Sequence, residues 1–236
     1  SGGRVISRSN KRTVATFSVD RKGASKVFFM KRYIKPHLKD MFFTWRAFGQ
    51  FCSQGRFEWE SVNFLIENGI ETYRPVCFGE QTKWWLERGS FLVTDKLQGE
   101  SLADFISREW KHLERSKKEQ IIAGLGAFIR KIHKLNVSLP DLYIWHIFLT
   151  ERQGRWEFAV IDLHRMLRNV TSIAQQLRNL GRLDHSMTDK YFDEQMRRLL
   201  IESYADADWP GSIDELAAKV KKYSKTMSAR RNPKPY

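Results

Sequence analysis

The sequence predicts an α+β chain whose strands come first and whose helices come last. Three observations carry this. Residues 1–95 hold short β-prone runs separated by polar turns. After Gly99 the apolar residues recur at helical spacing. No apolar run reaches the 18 residues that a membrane-spanning helix needs.

The opening, Arg4 to Val19, reads as two alternating runs about a polar turn at Ser9-Asn10. Lys26-Val-Phe-Phe-Met-Lys-Arg-Tyr33 is a third strand, set off by the turn Asp20-Arg-Lys-Gly23. Residues 34–55 interleave aromatic and basic side chains. They read as a short helix or a flap, packed on the sheet or turned to a membrane or glycan. A helix follows from about Arg56 to Asn68, with Gly69 at its C-cap. Val76-Cys-Phe, a turn, and strands at Thr82–Leu86 and Ser90–Thr94 complete a five-stranded antiparallel sheet with one helix.

Ser101 is placed to cap a helix at Leu102. Lys117 to Leu135 is a long helix with its apolar stripe at Ile121, Leu125, Phe128, Ile129 and Ile132. Short strands flank the turn Arg152-Gln-Gly154. Helices at Ser172–Leu180, Asp189–Tyr204 and Ile213–Tyr223 fill the rest. The expected division is 1–95 and 96–236, with a basic tail at 217–236.

Composition narrows the function classes. The chain has 236 residues, 42% apolar and 29% charged, enough for a sizeable core. Its two cysteines, Cys52 and Cys77, have no partner at metal-site spacing and read as reduced thiols, which favours a reducing compartment. No signal peptide is read. The formal net charge is +14. Residues 1–50 hold 12 Lys/Arg against Asp20 and Asp40, and residues 217–236 hold seven Lys/Arg and no acid. Such a surface draws anions: nucleic acid, anionic lipid or phosphorylated glycan.

Two short motifs point to chemistry. Asp141-Leu-Tyr-Ile-Trp-His146 places a histidine five residues after an aspartate. Asp162, 21 residues after Asp141, follows the apolar run Phe158-Ala-Val-Ile161. An orienting carboxylate, a second polar ligand and a later metal-binding carboxylate are how a protein-kinase-like fold builds its phosphotransfer site. That reading makes the chain bilobal. Asp141 orients the acceptor hydroxyl. Asp162, with His146, holds the metal. Lys31, on the side of its strand shared by Val27 and Phe29, holds the nucleotide phosphates. Glu58 is its partner, because Glu60 points roughly 200° round the helix. No glycine-rich loop covers the phosphates, and Ser9 and Lys11 stand in its place. Backbone groups from Val93 through Asp95 to Leu97 face adenine, with Ala15 and Met30 as apolar walls.

With these residues in view, the chain resembles the lipopolysaccharide core heptose kinase family. Asp-Leu-Tyr-Ile-Trp-His-Ile-Phe-Leu149 and Ile161-Asp-Leu-His-Arg165 carry the resemblance, and Phe57-Glu-Trp59 with Asn68-Gly-Ile-Glu-Thr72 extends it loosely over residues 4–205. The resemblance implies ATP- and Mg2+-dependent phosphorylation of a heptose hydroxyl in the lipopolysaccharide inner core. The place would be the cytoplasmic face of the inner membrane, with the protein peripheral to its anionic surface. It matches Asp141, Asp162, Lys31 and Glu58 to the roles above, and adds Tyr143, His164 and Arg165 as substrate or loop-supporting positions. The chain departs from the family where a loop histidine is usual two residues before the catalytic aspartate: that position is Leu139.

Rival readings remain at this point. The motifs report on ATP and not on the acceptor, so a kinase of another glycan, 3-deoxy-octulosonate or a small aminoglycoside is the nearest alternative. A scaffold that keeps the fold without the chemistry is a third reading. A nucleic-acid module would use the basic and aromatic residues, but no binding motif accompanies them and both aspartates oppose it.

Overall fold

The computed structural model describes residues 3–21, 24–34, 38–84, 86–205, 209–228 and 236. The chain forms two compact units, Ser1–Leu97 and Gln98–Tyr236.

In the first unit the strands are β1 (Arg4–Arg8), β2 (Arg12–Arg21), β3 (Ala24–Ile34), β4 (Pro75–Lys83) and β5 (Leu86–Asp95). The helices are α1 (Leu38–Phe48) and α2 (Gln54–Glu67). The strands form one five-stranded antiparallel sheet, as expected, and their order is β1-β2-β3-β5-β4. The turn expected at Asp20–Gly23 falls partly outside the described residues.

The β4–β5 hairpin differs from the sequence reading. β4 starts at Pro75 and runs through the expected turn after Phe78, bending at a register shift between Gln81 and Thr82. The chain reverses next to Trp84, which adopts φ 53°. A bulge absorbs the residue that pattern reading spends on a turn.

Segment 34–55, open between helix and flap, contains α1. Met41 and Thr44 are buried, and Phe43 and Phe48 pack on Phe57 of α2 at 5.6 and 4.7 Å. Helix α2 starts where Ser53 accepts a hydrogen bond from the Arg56 amide at 3.1 Å. It ends with the Gly69 amide on Ile66 O and the Ile70 amide on Leu65 O, Gly69 having φ 69°. Phe57, Val62 and Leu65 bury its inner face completely.

The start of α2 is tied to β5. The Gly55 amide donates to Ser90 Oγ at 2.9 Å and the Gln54 amide to Glu87 Oε2 at 3.0 Å. A Cβ on Gly55 would lie 2.9 Å from Phe91 O. This contact fixes where the next turn of α2, with Glu58, meets the sheet.

The second unit opens with β6 (Glu100–Ser101), α3 (Leu102–Glu109) and α4 (Arg115–Lys134). A 3-10 turn, Ile144–His146, leads into β7 (Ile147–Arg152) and β8 (Arg155–Val160). Helices α5 (Ile173–Ser186), α6 (Glu194–Ala205) and α7 (Ile213–Ser228) follow. Ser101 caps α3 through the Asp104 amide at 3.1 Å. Gln153 and Gly154, both at positive φ, turn β7 into β8. Ile121, Leu125, Ile129 and Ile132 of α4 are buried, and Phe128 stacks on Phe158 at 5.9 Å.

Helix α4 packs on α6, and α5 packs on α7. A Cβ on Gly126 would lie 2.6 Å from Leu200 O, so α4 and α6 meet backbone to side-chain root. Helix α5 runs six residues past the expected Leu180. Helix α6 starts after Asp193, whose carboxylate accepts from the Met196 amide at 2.8 Å, and not at Asp189. The basic stretch from 217 is helical as far as Ser228, so its first half is α7 and not a loose tail.

Candidate active site

In the first unit, Lys31 Nζ contacts Glu58 Oε1, so the pair expected from sequence forms. Glu58 is fully buried, and the Lys31 side chain is only 16% exposed. A buried carboxylate requires full hydrogen bonding. Tyr33 OH and Tyr73 OH both donate to Glu58, and the Lys31 ammonium sits 5.2 Å from the Tyr73 ring centre. Sequence reasoning missed both tyrosines. Tyr33 was legible in retrospect: it lies two residues after Lys31, on the same strand face.

That alternation also corrects the proposed apolar walls. Lys31 pairs with Val14 on β2 and Leu92 on β5, whereas Met30 pairs with Ala15 and Val93. Cross-strand partners share a face. Ala15, Met30 and the Val93 side chain therefore face away from Lys31. Val14, Thr16 and Phe29 lie on its side.

The other first-unit candidates are engaged. Ser9 Oγ accepts from the Lys11 and Arg12 amides and closes the β1–β2 turn, and Lys11 Nζ bonds Asp40 of α1 at 3.0 Å. Val93 lies inside the ladder between Met30 and Cys77. The Asp95 amide donates to Arg74 O at 2.9 Å, and its carboxylate pairs with Lys26 at 2.7 Å. Leu97 follows the end of β5 and is half-buried.

In the second unit the structure brings together Asp141, His146, Asp162, His164 and Arg165. His146 Nδ1 lies 2.7 Å from Asp141 O. A carbonyl only accepts, so Nδ1 carries a proton and Nε2 is the ring's other nitrogen. That Nε2 lies 3.8 Å from Asp162 Oδ2. His164 Nδ1 lies 2.9 Å from Asp162 Oδ1, and His164 Nε2 lies 4.0 Å from Asp141 Oδ2. Arg165 Nη1 donates to Asp141 Oδ1 at 3.3 Å. Tyr143 stacks on Trp145 at 4.8 Å and meets His146 edge-on at 5.9 Å.

Asp162 follows β8 with φ 64°, the left-handed region that residues other than glycine rarely adopt. The Ile161 amide donates to His146 O at 2.9 Å and fixes the preceding residue. This conformation turns the Asp162 carboxylate toward both histidines.

Asp162 offers the kind of oxygen donor that a hard divalent ion takes, whereas the imidazole of His146 is a softer donor. Adjacent ligands about 2.1 Å from a common octahedral ion lie about 3.0 Å apart, so the Asp162–His146 separation of 3.8 Å is wider than an adjacent pair. Among the described residues, no three His, Cys, Asp or Glu side chains form a self-sufficient metal cluster. Magnesium bound through one or two carboxylates, with phosphates and waters, needs no such cage.

The loop leading to Asp141 is braced without a loop histidine. Leu139 is buried, and its amide donates to Asn179 Oδ1 of α5 at 2.9 Å. Ser138 Oγ donates to the same oxygen at 3.0 Å. His133 of α4 approaches it through Nε2 at 3.3 Å, with Nδ1 2.8 Å from Tyr204 OH. Burial lowers the His133 pKa to about 4, so the ring is neutral near pH 7. Ser138 and Leu167 exchange two backbone bonds of 2.9 Å, which ties the approach to Asp141 to the stretch after Asp162. Asn179 and His133 were not found from sequence, because contacts 40 and 46 residues apart leave no local pattern.

Comparisons with known proteins bear on the family and the fold. The family model described as lipopolysaccharide kinase (Kdo/WaaP) family matches residues 1–204. The chain is 32% identical over 115 residues to the lipopolysaccharide core heptose(I) kinase WaaP of Escherichia coli strain K12, covering 46% of this chain and 43% of that protein. It is 27% identical over 141 residues to the enzyme of the same description from Pseudomonas aeruginosa, covering 57% and 53%. The chain thus spans about half the length of the curated relatives it matches. A solved structure of WaaP in complex with acyl carrier protein superposes with TM-score 0.70 at 20% identity, over 97% of this chain and 87% of that one. That likeness establishes the bilobal kinase-like fold.

Proposed function

We propose that this chain, which belongs to the lipopolysaccharide kinase (Kdo/WaaP) family, transfers the γ-phosphoryl group of ATP to a heptose hydroxyl of the lipopolysaccharide inner core. The observation that carries the reading is the second-unit cluster, in which Asp141 and Asp162 are linked through His164 and Asp162 adopts a left-handed backbone. A structural role for two aspartates requires neither feature.

The roles follow from charge and geometry. Lys31, fixed by Glu58, Tyr33 and Tyr73, holds the α- and β-phosphates. Asp162 and His146 would hold magnesium, which supplies positive charge against the β- and γ-phosphate oxygens. Asp141 accepts a hydrogen bond from the acceptor hydroxyl and orients its oxygen toward phosphorus; the proton passes to the carboxylate as the new P–O bond forms, the bond from the γ-phosphorus to the β,γ-bridging oxygen breaks, and ADP leaves with that oxygen. Arg165 donates to one Asp141 oxygen at 3.3 Å, and His164 Nε2 lies 4.0 Å from the other. Leu97 offers backbone groups to adenine, since those of Val93 and Asp95 serve the sheet. Ser9 and Lys11 act on the phosphates only through the β1–β2 turn that they shape.

The acceptor is membrane-borne on this reading, and the basic surface steers the protein to the anionic cytoplasmic face of the inner membrane as a peripheral enzyme. No helix among the described residues is long and apolar enough to cross a membrane.

The test is transfer of radiolabel from γ-labelled ATP to dephosphorylated inner-core glycan. Label should appear with magnesium and fall by about 10³-fold or more in Asp162→Ala and in Asp141→Asn. Wild-type protein that binds ATP but leaves every core glycan unlabelled would refute the assigned acceptor.

A further inference from the structure

Helix α1 presents two unlike faces. Its inner face is fixed: Met41 and Thr44 are buried, and Phe43 and Phe48 pack on Phe57. Thr44 Oγ1 donates to Met41 O at 2.8 Å, lies 3.1 Å from Cys52 O and accepts from the Cys52 amide at 3.4 Å. Gln54 Nε2 bonds Asp40 O at 3.2 Å. The helix is therefore a rigid mount.

Its outer face is apolar where a soluble helix is polar. Leu38, Phe42 and Trp45, at i, i+4 and i+7, are 63%, 60% and 50% exposed, and Phe51 of the following loop is 52% exposed. They form one surface. Phe51 stacks on Trp45 at 6.1 Å and meets Phe42 edge-on at 6.0 Å. Continuous exposed aromatic area marks an interaction site in a way that scattered single residues do not. Lys39 and Arg46 are exposed along one flank of this ridge. Asp40, the helix's only acid, turns inward to Lys11. Two acids line a hollow with Phe51: Glu87 is buried, and Glu80 lies 4.0 Å from Arg56.

We infer that the outer face of α1, with Phe51, is an interfacial element that lies on an anionic lipid bilayer. Charge complementarity selects the occupant. Lys39 and Arg46 border the rings, and residues 1–50 carry 12 Lys/Arg against two acids. Aromatic side chains seated at the headgroup boundary and flanked by cations are the pattern of helices that lie in a membrane surface. An 11-residue helix is too short to span the hydrocarbon. The inference deepens the peripheral placement proposed above and rests on it. It assigns that placement to one face of one helix.

The experiment is co-sedimentation with phosphatidylglycerol-containing vesicles and with pure phosphatidylcholine vesicles. Wild-type chain is compared with Phe42→Ser/Trp45→Ser and Lys39→Glu/Arg46→Glu. Thermal midpoints check folding, since all four side chains are exposed. Wild type should sediment with the anionic vesicles alone, and each double variant should lose about tenfold or more in partitioning. Equal binding by wild type and Phe42→Ser/Trp45→Ser would overturn the inference and assign binding to basic residues elsewhere. Absence of wild-type binding, with concentration-dependent dimers that the aromatic variant abolishes, would also overturn it and make the face a contact between copies. Transfer to a soluble core oligosaccharide, run in parallel, reports separately on the kinase reading. Its kcat should be unchanged in both variants.

Discussion

His133 shows how one side chain binds chemistry to stability. It is buried among α4, α5 and α6, and its neutral ring approaches the Asn179 oxygen that also receives the Leu139 amide. Desolvation lowers its pKa to about 4 from the ordinary 6.5, against the smaller opposing effect of the Asn179 bond. Between those two values the unfolded chain binds a proton that the folded chain refuses. Acidification through pH 6.5 to about 4 therefore removes stability, by roughly 3 kcal/mol in all, and stability is retained above that window. His133→Gln keeps an N–H for Asn179 and removes the titration. Urea unfolding of both proteins at several pH values should show a flatter acid limb for the variant. Parallel limbs would mean that His133 does not carry the dependence. The sequence offered no route to this residue. His133 reads as the polar end of an amphipathic helix, and only the fold places it beneath the loop that precedes Asp141.

Helix α2 makes the same point for an element. Its existence and its terminating Gly69 follow local rules, whereas the pairing of Glu58 with Lys31 is read from the kinase-like pattern. What local rules do not reveal is how closely the helix approaches the sheet. Gly55 decides that. In an isolated helix, glycine to alanine is stabilising by about 1 kcal/mol. Here the new methyl would stand 2.9 Å from the Phe91 carbonyl, a backbone atom of β5 that cannot rotate aside. Overpacking of this kind costs about 1–3 kcal/mol and exceeds the propensity gain. Gly55→Ala should therefore lower the thermal midpoint. It should also raise KM for ATP, because Glu58 lies one turn on and holds Lys31. A raised midpoint with unaltered KM would show that α2 has slack against β5. The hairpin after α2 illustrates the opposite limit. Gly79 and Glu80 carry turn-like composition yet lie inside β4, where a bulge and neighbouring strand bonds override propensity.

At the scale of the whole molecule, charge acts beyond any single contact. The chain carries +14, with the excess concentrated in residues 1–50 and in α7 and the stretch after it. Many of the described cations are paired locally, as Lys221 is with Glu194 at 2.9 Å and Arg198 with Asp214 at 2.7 Å. Such exposed pairs contribute little to stability. The unbalanced excess acts on incoming anions instead. It raises the encounter rate with anionic partners, and salt screens it beyond about 8–10 Å at physiological strength. The kinase reading then predicts a specific division of kinetic effects. Raising ionic strength from low to physiological should reduce kcat/KM for the inner-core acceptor by on the order of tenfold. It should leave kcat nearly constant, because the Asp141–Asp162 cluster acts over a few ångströms within a partly buried site. The two quantities separate steering from chemistry. If kcat fell in step with kcat/KM, salt would be disturbing the cluster itself, and the net charge would have no role in drawing the acceptor.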